Sequence, residues 1–477
     1  MRRRATALIL AFILTSASAA HAARPNIVFI YTDDQAAWAL GASQHPHAST
    51  PHLDRLVREG AYLVNSFTVT PVCSPSRASL MTSRYGSEVG ITEWINPRKE
   101  AKHGLDPDTV TWPELLQQHG YTTGLVGKWH LGLPDKFHPT RTGFDYFMGF
   151  RGGGNSPQNP QLEKEGKQQK FQGLTPDILT DHAVEFIQRN RQGPFLLCLH
   201  YRAPHARWLP VAEQDWAPFA ELDPQIPNPD FPKLNVARVK KMTREYLASV
   251  KSVDRNVGRV LAELDTLKLT SNTVVIFTSD HGYNMGHNGI WHKGNGHYVL
   301  TEPPPATKHI PRGQRPNMYD HSLRVPTIIR WPQANIAGTT VTNTVSNLDW
   351  FPTVLSMAGA EHLIPKTIRG RNMTPLLRGK QITWDNDLYG EYSTHHQSTT
   401  HMRMLRTPRW KLIRDFLSPE RDELYNLQED PAESNNLIRA ATPEIKSVLA
   451  RLQKKLVAQM QANEDAVLQL PSASPQD

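Results

Sequence analysis

The chain has 477 residues, 39% hydrophobic and 21% charged, enough apolar material for a large core and too little charge bias for a disordered chain. Its two cysteines exclude a disulfide scaffold or a four-thiolate zinc module, and 37 prolines with 29 glycines exclude a helical bundle or coiled coil. The net charge of +8 is spread without a basic stripe, which argues against nucleic acid and is compatible with an anionic substrate.

Residues 1–22, MRRRATALILAFILTSASAAHA, carry a basic start, a short apolar run and small residues ending Ala20-His21-Ala22. That is the three-part pattern of a bacterial secretory signal, and it predicts cleavage after Ala22 and export to the periplasm or beyond. The apolar run falls short of the roughly 20 residues that cross a bilayer, so no membrane span is expected.

Asn26–Thr32 (NIVFIYT) reads as a buried parallel strand that ends abruptly in Asp33-Asp34. Thr50-Pro51 predicts an N-cap followed by a proline at the first helical position, with Leu53, Leu56 and Val57 on one apolar face. Trp112–His119 reads as a helix and Tyr121–Val126 as a strand leading into a Gly-Lys-Trp-His turn; residues 151–174, rich in Gly, Gln, Asn and Lys, read as a surface loop. Phe195–His200 is a further strand, residues 204–235 are proline-dense and irregular, and Met242–Leu264 is a long amphipathic helix. Val274–Thr278 repeats the opening pattern, a strand ending in Ser279-Asp280-His281-Gly282. Strands alternating with helices predict an α/β fold with a large, doubly wound, mostly parallel sheet flanked by helices.

Near residue 380 the texture changes to short strand-like runs at Asp387–Tyr392, Met402–Leu405, Trp410–Asp415 and Glu423–Asn426, then a closing helix at Pro443–Ala462. The expected organisation is therefore a signal peptide (1–22), a catalytic domain (23–380) and a C-terminal subdomain with a small antiparallel sheet and closing helix (381–477).

In open α/β sheets, ligands gather beyond the carboxyl ends of strands. Two strands here end in acids, and two like charges ~4 Å apart cost about 4 kcal/mol at an effective dielectric of ~20. Asp33, Asp34 and Asp280 converging in one crevice therefore call for a cation, and oxygen donors favour calcium or magnesium over zinc. The alternative is that each aspartate merely caps a turn. Cys73-Ser74-Pro75-Ser76-Arg77 opens an amphipathic segment, with Cys73 at a helix N-terminus and Arg77 one turn on, able to reach back to it. A buried structural cysteine and an unmodified thiolate nucleophile are the alternatives there.

The pattern Cys-x-Pro-x-Arg resembles the signature of the type I, formylglycine-dependent sulfatases, arylsulfatase-like members of the alkaline phosphatase superfamily. The acidic pair after the first strand, the Gly127–Gly132 box (Gly-Lys-Trp-His-Leu-Gly), the Ser279–Gly282 box and the closing Glu423-Leu424-Tyr425-Asn426-Leu427 match the same family in order, from about residue 25 to 440.

The resemblance implies an alkaline phosphatase-like frame and an exported sulfatase acting on sulfate esters, most simply of a sulfated carbohydrate. It implies that a separate maturation enzyme converts Cys73 to formylglycine, whose hydrate attacks sulfur with one hydroxyl and expels sulfate with the other. It further implies that Asp33, Asp34, Cys73, Asp280 and His281 hold one Ca2+ (Mg2+ being the weaker candidate), His281 standing where relatives often have Asn. Cys73, Arg77, Lys128, His130, His205 and Lys293 are then the catalytic set, with Lys128, His205 and Lys293 also binding sulfate. Arg315 is a rival to Lys293, because more than twenty residues separate Lys293 from the Asn317-Met318-Tyr319-Asp320 segment that usually follows it closely.

His200 and Cys198 read as core residues. His395, His396 and His401, with Trp94 and Arg98, are candidates for the leaving-group side or ordinary surface residues. A phosphate- or phosphonate-ester hydrolase on the same frame, and a non-catalytic, calcium-stabilised glycan-binding protein, are the competing functions. Sugar identity and oligomeric state have no signature in the sequence.

Overall fold

The computed structural model describes residues 24–470, so the expected signal segment lies outside the described residues. In chain order the strands of the first part are β1 (Asn26–Thr32), β2 (Ala61–Leu63), β3 (Ser66–Phe67), β4 (Thr122–Lys128), β5 (Tyr146–Phe150), β6 (Gln161–Lys164), β7 (Lys167–Lys170) and β8 (Phe195–His200). They continue with β9 (Thr273–Ser279), β10 (Ile328–Arg330), β11 (Thr339–Val341) and β12 (Val345–Ser346). Ten of these form one sheet in the spatial order β11-β2-β10-β9-β1-β8-β4-β5-β6-β7, while β3 and β12 pair separately.

The central strands β9, β1, β8, β4 and β5 are parallel, and β10, β6 and β7 join antiparallel toward the margins. Alternation along β1 shows why helices cover both faces. Ile27, Phe29 and Tyr31 enter one core with the helices Cys73–Thr82, Trp112–Gln118 and Trp350–Met357. Val28 and Ile30 enter another with Pro51–Glu59, Thr175–Asn190 and Val236–Thr266. The α/β architecture expected from the sequence is thus the one observed.

Three local expectations need correction. Residues 151–174 are not a plain loop, because β6 and β7 form a hairpin that extends the sheet from β5. Only Leu162 and Glu163 of the hairpin strands are buried, and β7 (KQQK) is exposed along its length, so an edge strand there carries a loop's composition. Thr50 does not cap the helix Pro51–Glu59. Its hydroxyl accepts the Gly41 N–H at 2.8 Å, while Asp254, from the long helix, accepts the Leu53 N–H at 2.8 Å. That long helix starts six residues early, at Val236, where Asn235 caps it by accepting the Arg238 N–H at 3.1 Å.

Strands β13 (Leu388–Thr394), β14 (Thr400–Arg406), β15 (Trp410–Asp415) and β16 (Glu423–Asn426) form an antiparallel sheet in that order, followed by the helix Pro443–Ala462. Met402, Met404, Leu412 and Leu452 pack in one apolar cluster with Phe67, Val69, Val72 and Cys73. The small sheet therefore buttresses the segment leading to Cys73. Among the described residues no helix is long and apolar enough to cross a membrane.

Candidate active site

Parallel pairing of β1 with β9 sets Thr32 opposite Ser279, so Asp33-Asp34 and Asp280 emerge side by side at the carboxyl edge. β4 delivers Lys128 to the same edge, on the far side of β8. The helix Cys73–Thr82 begins with Cys73 and points its first turn at these strand ends. It is buried on every side rather than amphipathic. Its polar side chains are matched locally: the Ser76 hydroxyl donates to the Asp280 carbonyl, and Ser74 Oγ accepts the Ile95 N–H at 2.9 Å. Asp34 and His130 have φ of 71° and 62°, left-handed conformations uncommon for such residues and held here by the surrounding ion pairs and sheet edge.

Each of the three aspartates has its own cation. Lys128 Nζ lies 2.6 Å from Asp33 Oδ2, Lys293 Nζ lies 2.6 Å from Asp34 Oδ1, and Arg77 lies 3.0 Å from Asp280 Oδ2. Arg77 thus reaches Asp280 and the Lys128 carbonyl (3.1 Å) rather than turning back to Cys73. Lys293 Nζ also lies 3.3 Å from Cys73 Sγ. Burial alone would push the Cys73 thiol up, but Lys128 and Lys293 outweigh it and hold the thiol well below its ordinary value. Burial likewise opposes ionisation of Asp33 and Asp34, and the facing lysines with His205 bring both below the usual carboxylate range. Asp280 is pushed up to about 6 by burial and by the charge of Asp33. The pocket is therefore built to hold negative oxygen or sulfur at Cys73.

The donor set fits a cation. Among the described residues nothing donates a hydrogen bond to the buried Asp33 Oδ1 or Asp34 Oδ2. His281 Nδ1 donates to the Gly282 carbonyl at 3.0 Å, and the buried Nε2 has no hydrogen-bond partner among the described residues, lying 3.2 Å from Asp34 Oδ1 and 3.3 Å from Asp280 Oδ1. Donor atoms of Asp33, Cys73, Asp280 and His281 lie within 4.8 Å of one another, and Asp34 groups with Asp33 and His205.

His130 sits beside Cys73, with Nε2 3.3 Å from the Ile95 carbonyl, and burial lowers its pKa. His205 is partly exposed; its Nδ1 bonds the Ala206 carbonyl at 2.6 Å and its Nε2 lies 3.9 Å from Asp34 Oδ2. Arg315 does not join the group, because its guanidinium pairs with Glu423 of β16 and the Tyr319 hydroxyl. His200 is a buried strand-end residue facing the Lys128 carbonyl, and Cys198 is a buried free thiol raised by desolvation.

Two supporting residues were not evident from the sequence. Asn347 donates to the Ser76 carbonyl at 3.0 Å and accepts the Val69 N–H at 3.2 Å, bracing the Cys73 helix. Arg202 holds the Ala206 and Arg207 carbonyls at 2.5 and 3.0 Å, fixing the loop that carries His205. Arg202 directly precedes the Ala203-Pro204-His205 segment, whereas Asn347 stands at no telling distance from a motif.

A family model described as Sulfatase matches residues 25–360, and one described as N-sulphoglucosamine sulphohydrolase, C-terminal, matches residues 314–462. The chain is 31% identical to the steryl-sulfatase of Rattus norvegicus, over 78% of this chain and 74% of that protein. It is 27% identical to an N-acetylglucosamine-6-O-sulfatase of Bacteroides thetaiotaomicron, over 91% of this chain and 85% of that protein. A solved structure in complex with its substrate D-glucosamine-2-N,6-O-disulfate superposes with a TM-score of 0.78 at 25% identity, covering 95% of this chain and 100% of that one.

Proposed function

The chain belongs to the sulfatase family and is a sulfuric ester hydrolase, and on that premise we propose that it is exported and removes sulfate from sulfated carbohydrates. The reading of the substrate is supported by relatives named for such sugars, the N-acetylglucosamine-6-O-sulfatase and an ulvan-active sulfatase of Formosa agariphila that is 27% identical over 91% of this chain. We take the region up to about residue 380 as the catalytic part and the remainder as a supporting subdomain.

In this reading Cys73 is matured to formylglycine by a separate generating enzyme. Asp33, Asp34, Asp280 and His281, with the matured residue 73, hold one hard dication, Ca2+ ahead of Mg2+, since oxygens dominate the donor set. When present, the matured residue and the ion supply a geminal hydroxyl as nucleophile and a positive charge facing the sulfate oxygens.

The remaining residues divide the work. Lys128 and Lys293 keep their ammonium groups beside residue 73 and are the cationic partners for sulfate oxygens. His205, whose Nδ1 donates to the Ala206 carbonyl, turns Nε2 toward the leaving alcohol; it serves as proton donor in its imidazolium form, which burial opposes and the Asp34 and Asp33 carboxylates favour. His130 orients the substituent at residue 73, and Arg77 acts through Asp280 as a positioning residue.

The observation that carries this reading is the convergence of Lys128 and Lys293 on Cys73, each also 2.6 Å from a different aspartate. The test has two readouts on protein from its native host: mass spectrometry of the peptide containing residue 73, and sulfate release across defined sulfated saccharides. An aldehyde mass with release of sulfate is expected. A retained thiol in active protein, or faster turnover of matched phosphate esters, overturns it.

A further inference from the structure

A second cluster of ligand-type side chains lies at the seam between the loop following the Cys73 helix and the turn joining β13 to β14. His395 Nε2 is 2.9 Å from Glu100 Oε1, and His396 Nε2, which donates to the Trp94 carbonyl at 2.9 Å, is 3.0 Å from Glu100 Oε2. His395 Nδ1 is 3.5 Å from Glu93 Oε2, and the two imidazole centroids are 4.4 Å apart. Donor atoms of Glu93, His395 and His396 all lie within 4.8 Å of one another.

The backbone fixes this arrangement. Glu93 Oε2 accepts the N–H groups of both His395 and His396, at 2.6 and 3.0 Å. Lys99 Nζ donates to the His396 carbonyl at 3.0 Å, so the turn is tied to the loop on both sides of the rings. Glu93 is buried, whereas the His395 side chain is 48% exposed and leaves a route of entry.

We propose that Glu93, Glu100, His395 and His396 form a second divalent-cation site, of zinc type, separate from the Asp33–Asp280 centre. Two imidazoles and two carboxylates make the mixed nitrogen–oxygen donor set that borderline transition ions take, whereas Ca2+ wants six or more oxygens. A dication balances the charge of two carboxylates. Without it, two rings packed at 4.4 Å both face the Glu100 carboxylate, with Glu93 3.5 Å from His395.

Occupied, the site staples the loop to the C-terminal sheet. The same loop reaches the catalytic helix through the Ile95 N–H to Ser74 Oγ (2.9 Å) and meets His130 through the Ile95 carbonyl (3.3 Å). The staple would thus fix the loop that braces Ser74 and His130 beside Cys73.

The test uses the full-length protein, stripped with a chelator and dialysed against Zn2+ in excess Ca2+, so that the oxygen-rich centre stays with the hard ion. Bound zinc is counted by elemental mass spectrometry, and Cu2+ in place of Zn2+ is read by electron paramagnetic resonance. The wild type is expected to hold one equivalent of zinc and to show coupling of Cu2+ to two nitrogens, both lost in His395→Ala/His396→Ala. Absence of zinc from the wild type, or the same zinc count and nitrogen coupling in the double variant, overturns the proposal. Should the double variant fail to fold, His395→Gln, at the exposed position, must remove one nitrogen from the Cu2+ pattern; an unchanged pattern is equally fatal.

Discussion

Arg77 sets its Nε and one terminal nitrogen against a single oxygen of Asp280, Oδ2, at 3.1 and 3.0 Å. Oδ1 is left to accept the Asp34 N–H at 3.1 Å and to face His281 Nε2 at 3.3 Å. Because Arg77 also donates to the Lys128 carbonyl at 3.1 Å, one planar cation links the ends of β9 and β4.

A lysine at this position cannot reproduce that link, since a single ammonium on a flexible stem lacks the planar fork. Arg77→Lys is expected to keep the fold and lower kcat/KM by about 100-fold or more, with weaker Ca2+ binding by calorimetry. Arg77→Ala leaves Asp280 buried without its partner and should also cost about 3–5 kcal/mol of stability in denaturant unfolding. Full activity in the lysine variant would show that Asp280 needs only charge.

His205 is assigned to the leaving group, and that role depends on how badly the departing oxygen needs a proton. His205→Gln should lower kcat on a sugar sulfate, whose alcohol leaves poorly, by about 10²–10⁴-fold. An aryl sulfate, whose phenol leaves easily, should suffer far less. Equal losses on both substrates would make His205 a sulfate-binding residue instead.

Much of this geometry was legible because the sequence places chemistry at strand ends. NIVFIYT-Asp-Asp and VVIFTS-Asp-His are apolar runs that stop at acids, and parallel pairing does the rest. Lys293 meets Cys73 despite the long insertion that follows it, whereas Arg315 faces Glu423, a neighbour that only tertiary packing brings to it. The hairpin β6–β7 escaped notice because an edge strand with both faces wet has no apolar alternation to show. The cap of Pro51–Glu59 escaped for another reason: Asp254 lies about two hundred residues away, and no local pattern encodes it. At the seam, His395 and His396 already group with Trp94 on the sequence alone, but no local pattern pairs them with Glu93 and Glu100.

Close approach of β4 to β8 makes a separate prediction at Gly127. Its φ is +118°, and a Cβ there would lie 1.9 Å from the His200 carbonyl oxygen, a backbone atom that cannot move without breaking the strand pair. Gly127→Ala should destabilise the protein by about 2–4 kcal/mol, through strain and overpacking together. It should also displace Lys128, the next residue, so kcat/KM falls even at temperatures where the variant remains folded. Thermal unfolding and kinetics on the same sample separate the two effects.

Asp254 provides a pH-dependent test of stability away from the chemistry. Its carboxylate is buried and accepts the N–H groups of His52 and Leu53 at 3.3 and 2.8 Å, and burial outweighs these bonds to push its pKa up to about 7 from 3.8. The folded state therefore binds this proton more tightly than the unfolded chain does. Below about pH 4 both states are protonated and the residue costs nothing. Between about pH 4 and 7 the unfolded chain alone releases its proton, so stability falls as pH rises, by at most about 4 kcal/mol. Asp254→Asn keeps an oxygen for the amides and removes the ionisation, so it should flatten that part of the stability profile and gain most over wild type at pH 8. Asp254→Ala, which leaves both amides unpaired, should be destabilised at every pH. Urea unfolding at pH 5 and pH 8 reads the difference, and an asparagine variant with the wild-type slope would mean that Asp254 ionises in the folded protein without penalty.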